Sequence, residues 1–148
     1  GTENVPGIVG IGKAAEIATK RLPRQMAQWA HLRDVFLNEL NVEMDGEFHI
    51  NGDTDRRSSA IISLTLPGVN SESLLLLLDQ QDIYLSAGSA CSASDATTSH
   101  VLRGIGLSEE SAACTVRISM GFDTTEDEMR QAAQGVASVA HRLKAMYS

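Results

Sequence analysis

From residue 86 to residue 98 the chain reads Ser-Ala-Gly-Ser-Ala-Cys-Ser-Ala-Ser-Asp-Ala-Thr-Thr, without one large apolar side chain. Small polar residues cannot build a core, so such a run predicts a loop, and the fold must be assembled from the segments around it. The run holds one thiol, Cys91. A free cysteine usually sits buried, so a thiol on a polar loop points to a delivered nucleophile. The other reading is an incidental loop cysteine.

The 148 residues suit about one domain, large enough to bury roughly two-thirds of its unfolded surface. Hydrophobic residues make up 43% and charged residues 21%, a balance that reads as soluble and globular. The net charge of −7 argues against nucleic acid or an anionic membrane as partner. No apolar run approaches the roughly 18 residues of a membrane span, and the N-terminus does not resemble a signal peptide. Cys91 and Cys114 are the only cysteines, so a reducing, cytoplasmic setting is expected, with no metal site.

Ile8, Val9, Ile11, Ala14, Ala15, Ile17 and Ala18 recur at helical spacing, and the glycines among them suggest close packing against a neighbour. Pro23 is expected to start or kink a second helix, which carries an apolar face to about Leu40. Strands are expected over 47–50, 60–66, 83–85 and 114–119. Asn70 or Ser71 caps a helix over 73–81, and a short helix covers 99–104. Ser108 begins another short turn or helix. Thr124 or Thr125 opens a long C-terminal helix with Met129, Ala133, Val136, Ala140, Leu143 and Met146 on one face. This pattern is α+β, with helices covering a small, mainly antiparallel sheet of three or four strands.

Arg117 lies between Val116 and Ile118, so it faces away from both in a strand. A guanidinium fork holds a carboxylate bidentately, although the pattern alone favours a surface ion pair. Arg103 reads as a surface charge, and Cys114 as core packing. His31, His49 and His141 read as solvated, while His100 is the histidine nearest the thiol in sequence. Thr2 offers a hydroxyl that could bind an anion, as any terminal threonine does. No Lys or Arg lies within ten residues of Cys91, so its activator must come from elsewhere.

Ser-Ala-Gly-Ser-Ala-Cys-Ser at 86–92 resembles the cysteine-loop signature of cysteine desulfurases, pyridoxal-phosphate enzymes of the class V aminotransferase group. The long loop resembles the nitrogen-fixation and iron–sulfur-assembly subgroup. Gly-Thr-Glu-Asn-Val-Pro-Gly, Val-Leu-Arg-Gly-Ile-Gly-Leu and Val-Arg-Ile-Ser-Met-Gly are similar to further segments of that family. The resemblance spans essentially the whole chain. It implies the C-terminal small domain of a fold-type I enzyme, with linking helices over 1–41 and an α+β domain over 42–148 carrying the cysteine loop 86–98.

The resemblance further implies that Cys91 takes sulfur from L-cysteine as a persulfide and that alanine is released. It makes Arg117 the clamp for the substrate carboxylate. It has Thr2 reach the phosphate of pyridoxal phosphate in the other subunit of a homodimer, and it makes a sulfur-acceptor or iron–sulfur scaffold protein the partner. The family's Schiff-base lysine sits in a Ser-x-His-Lys setting that this chain lacks, so the chain alone is expected to be inactive. A non-catalytic relay or interaction module that carries a persulfide on Cys91 is the alternative, and a structural domain with an incidental Cys91 is a third.

Overall fold

A computed structural model of the chain describes residues 1–53, 55–88 and 99–147; Cys91 and the rest of 89–98 lie outside the described residues. The chain opens with helix α1 (Val5–Met44). The Asn4 side chain caps it by accepting the Gly7 amide at 3.1 Å, and Pro6 stands in its first turn, where an amide is not needed. Asp45 ends it in the left-handed conformation at φ 49°.

The two helices expected on either side of Pro23 are therefore one helix, which ends at Met44 rather than near Leu40. Proline removes the bond to the carbonyl four residues back and breaks helices where that carbonyl is buried. Here Thr19 and Pro23 are both exposed, so the freed carbonyl faces solvent and the helix runs on. The expected packing of the first apolar stripe is also corrected. Ile8, Val9 and Ile11 are 61%, 65% and 76% exposed, and a Cβ at Gly10 or Gly12 would meet open space. The buried residues of α1 begin at Gln25 and continue through Leu32, Val35, Phe36, Leu40 and Met44.

A four-stranded antiparallel sheet follows, in the order β1-β2-β4-β3, from β1 (His49–Ile50), β2 (Ile61–Thr65), β3 (Ser86–Ala87) and β4 (Thr115–Ser119). Helix α2 (Ser71–Asp79) lies between β2 and β3 and is capped by Asn70, whose side chain accepts the Ser73 amide. Short helices α3 (His100–Gly104) and α4 (Glu109–Ala113) precede β4, and α5 (Glu126–Tyr147) closes the chain. Ile62, Leu64, Val116 and Ile118 on one sheet face join Phe36, Leu40, Leu74, Leu78, Met129, Ala133, Val136, Ala140 and Leu143 in a single core. Met146 stays 65% exposed, so the apolar face of α5 ends one turn earlier than its spacing suggests.

The expected strand at 83–85 is displaced to Ser86–Ala87. Asp82 adopts φ 59°, and the Ile83 amide donates back to the Leu78 carbonyl at 3.1 Å. That amide closes the end of α2 and is lost to the sheet ladder. Gly135 makes room for the Ile83 side chain against α5, since a Cβ there would meet Ile83 Cδ1 at 2.5 Å. Cys114, expected as core packing in a strand, is instead half-buried at the C-cap of α4.

Polar contacts tie α1 and the turn after it to the other end of the chain. Trp29 Nε1 donates to the Gly121 carbonyl at 2.8 Å, and its ring packs against Phe122 at 5.6 Å between centroids. Arg130 and Gln134 of α5 both reach Glu39, and Lys144 donates to Glu47 at 2.6 Å. Among the described residues no helix is long and apolar enough to cross a membrane.

Candidate functional site

The sheet face turned away from the core carries one row of polar residues. Ser63 of β2 stands opposite Arg117 of β4, and Ser86 of β3 stands opposite Arg117 on its other side. The Asn51 amide, one residue beyond β1, donates to the Ser63 carbonyl at 2.9 Å. Asn51, Ser63, Arg117 and Ser86 thus lie side by side across the whole sheet. Their neighbours Ile62, Leu64, Val116 and Ile118 point the other way, into the core.

Hydrogen bonding decides how close Ser63 and Arg117 come. The Met120 amide donates to the Ala60 carbonyl, and the Leu66 amide to the Cys114 carbonyl, each at 2.9 Å. These bonds put the bonded pairs of β2 and β4 at even-numbered residues. Ser63 and Arg117 are a non-bonded pair, the kind whose Cα atoms approach to about 4.5 Å and whose side chains are nearest.

The same face holds a hydroxyl network with a fixed direction. Thr115 Oγ1 donates to the Ser111 carbonyl at 2.7 Å. A carbonyl only accepts, so the single Thr115 proton is committed there. The 2.7 Å contact between the Thr65 and Thr115 hydroxyls is then a donation from Thr65. Thr65 Oγ1 also lies 3.2 Å from Asn51 Oδ1, but its one proton goes to the shorter contact. It therefore accepts from Asn51 Nδ2, at 2.8 Å. The amide's second proton reaches Ser63 Oγ at 3.2 Å. Flipping the amide would set an oxygen against a hydroxyl with no proton left to give, so the chain of donations runs one way, from Asn51 to Ser111.

Thr65 and Thr115 are 4% and 2% exposed; their hydrogen bonds satisfy hydroxyls that would otherwise be costly to bury. Arg117 differs. It is exposed and makes no side-chain hydrogen bond or ion pair among the described residues. The surface ion pair that its strand pattern favours is therefore not formed among the described residues. Its five N–H donors stand beside two serines and have no side-chain partner among the described residues.

The other residues singled out from the sequence are not gathered there. Thr2 is exposed ahead of α1, and the first buried residue of that helix is Gln25; at 1.5 Å per residue Thr2 projects about 30 Å beyond the packed part. His31 bonds Glu126 at 2.8 Å across α1 and α5, which lowers the Glu126 carboxyl below its ordinary value. His49, His100, Arg103 and His141 are exposed. Among the described residues no three His, Cys, Asp or Glu side chains gather as metal ligands. A groove of about 880 Å³ runs between α5 and the 81–85 segment, but Arg117 does not line it.

The residues present do not fit pyridoxal phosphate as a resident group. Its attachment requires an amine, and the chain has three lysines. Lys13 and Lys20 both pair with Glu16 on α1, and Lys144 pairs with Glu47. None lies in the polar row beside Arg117.

Sequence reasoning found Arg117 but missed Asn51 and Ser63. Asn51 with Gly52 reads as a turn, and Ser63 is lost inside an apolar strand. Period-two alternation does place Ser63 on the polar face. What it cannot supply is the pairing of β2 with β4, which lies more than fifty residues away in sequence.

The aminotransferase class-V family model matches residues 1–131. The chain is 36% identical over 144 residues to a cysteine desulfurase IscS of Rickettsia bellii, covering 97% of the chain and 34% of that protein. It is 36% identical over 146 residues to a cysteine desulfurase IscS of Methanosarcina thermophila, covering 99% of the chain and 36% of that protein. Among solved structures a NifS-like protein superposes with a TM-score of 0.80 at 27% identity, over 96% of the chain and 35% of that structure. The chain thus spans about a third of the length of the relatives it matches.

Proposed function

The chain belongs to the class-V aminotransferase family, and from that premise we propose that it is the C-terminal part of a cysteine desulfurase serving iron–sulfur cluster assembly in the cytoplasm. The observation that carries this reading is Arg117. It stands exposed on the polar sheet face, unpaired among the described residues, in the row that ends at Ser86, five residues before Cys91. A free guanidinium held on a strand is suited to the carboxylate of a small amino acid. The linking segment 1–41 and the domain 42–148 then serve the rest of the protein, which supplies the pyridoxal phosphate and its lysine.

In this reading L-cysteine and the thiol of Cys91 give a persulfide on Cys91 and L-alanine. The carbon–sulfur bond of the substrate breaks, a sulfur–sulfur bond forms, and one proton passes to the carbon, so no external oxidant or reductant is used. The persulfide goes on to an acceptor or scaffold protein. In this reading Thr2, just ahead of α1, serves a second copy in a homodimer.

The test uses the longer protein and the 148-residue chain side by side, each given pyridoxal phosphate and L-cysteine. The longer protein is expected to release alanine and to carry a persulfide that disappears in Cys91→Ala. The chain alone is expected to release none. Alanine from the isolated chain would overturn the claim that it lacks the machinery. A persulfide on the isolated chain from inorganic polysulfide, whose S–S bond the Cys91 thiolate breaks as a shorter polysulfide leaves, with no alanine from the longer protein, would replace this reading by a relay module.

A further inference from the structure

We propose that Ser63 is a second donor to the carboxylate held by Arg117, and that Asn51 is a positioning residue that aims it; this rests on the desulfurase reading of Arg117. Three independent features of the sheet meet at this hydroxyl. It is the cross-strand neighbour of Arg117 in a non-hydrogen-bonded pair, where side chains are closest. It is half-buried rather than covered, so a ligand on Arg117 can reach it. And its oxygen is the acceptor at 3.2 Å for the second amide proton of Asn51.

The third feature settles the polarity. Asn51 cannot turn its carbonyl toward Ser63, because its other contact is to Thr65, whose proton is already given to Thr115. Ser63 therefore accepts from Asn51 and keeps its own proton for something else. No described group takes that proton, since the Ser63 side chain has Asn51 as its one hydrogen-bond partner among the described residues. An anion on Arg117 would meet a guanidinium on one side and an O–H held ready on the other. A hydroxyl that has already accepted a bond is also a stronger donor, because hydrogen bonds in a chain polarise one another. The arrangement selects for an anionic group of carboxylate size. It gives nothing to a substrate that offers only an amine and a thiol.

The experiment is steady-state kinetics of the longer protein with L-cysteine, together with inhibition by cysteamine, which keeps the amine and thiol but has no carboxylate. Ser63→Ala is expected to raise KM for L-cysteine about tenfold, the usual effect of losing one hydrogen bond to a charged group. Its kcat should change less than KM, and cysteamine inhibition should not change. Ser63→Thr keeps the hydroxyl and should stay within about twofold of the parent. Asn51→Asp offers only acceptors, turns the Ser63 proton away from the ligand and adds a negative charge, so it should raise KM more than Ser63→Ala does. A KM unchanged in Ser63→Ala while Arg117→Ala raises it would overturn this inference and leave the desulfurase reading standing. An unchanged KM in Arg117→Ala would overturn the reading itself. A Ser63→Ala protein that loses cysteamine affinity as much as L-cysteine affinity would show a general disturbance and also overturn the inference.

Discussion

The two faces of the same sheet follow opposite rules. On one, Ile62, Leu64, Val116 and Ile118 are each at most 3% exposed and join the helices in the core. On the other, Asn51, Ser63, Arg117 and Ser86 keep access to solvent, and only the Thr65–Thr115 end is sealed, by a hydrogen-bond network ending on α4. Strand alternation produces both faces from consecutive residues. The difference teaches where stability and chemistry are separable: a residue on the core face answers to packing, and its immediate neighbour in sequence does not.

That contrast is open to attack by substitution, with urea unfolding as the common measure. Leu64→Ala deletes a side chain with no exposed surface and should cost about 3 kcal/mol, within the span seen for buried leucines. Thr65→Val keeps the shape but cuts the network between Asn51 and Thr115, leaving a donor and an acceptor unmatched. Its cost should be about 1–2 kcal/mol. Arg117→Ala touches neither core nor network and should change stability by less than about 0.5 kcal/mol, while substrate use by the longer protein collapses. A loss above about 1 kcal/mol in Arg117→Ala would erase the contrast, because the outer face would then be structural.

The smallest effect belongs to a contact on neither face. Glu126 accepts a hydrogen bond from His31, and this holds its carboxyl below the ordinary 4.5. A carboxyl with a lowered folded pKa stabilises above its unfolded value, and that contribution is lost as pH falls through the folded one. Glu126→Gln should therefore be slightly less stable than the parent near neutrality, and the gap should close as pH drops below about 4.5. Both partners are more than half exposed, so added salt should shrink the gap as well.

The halves of α1 show why some of the fold was legible in the residues and some was not. Both halves carry apolar residues at helical spacing, and both are helical. The pattern cannot say that the stripe from Ile8 to Ile17 stays open while Leu32, Val35, Phe36 and Leu40 are covered, because a stripe does not name its partner. Likewise Pro23 announces a break that an exposed Thr19 carbonyl makes unnecessary. The 83–85 segment has the composition of a strand, yet the Ile83 amide is claimed by the end of α2. Each miss has one cause: a local preference was overruled by a contact formed elsewhere in the chain.

What the residues determined unaided is the α+β class, the antiparallel sheet, the capped starts of α2 and α4, and the outward direction of Arg117. Spacing, capping and alternation are properties of short segments, and they survive folding. What tertiary structure alone decided is the company Arg117 keeps. Asn51, Ser63 and Ser86 reach its row through strand pairings that span the domain, and the direction of the hydroxyl network follows from a carbonyl on α4. Register is a relation between distant segments, set by which faces must be buried together, and no window of sequence contains it.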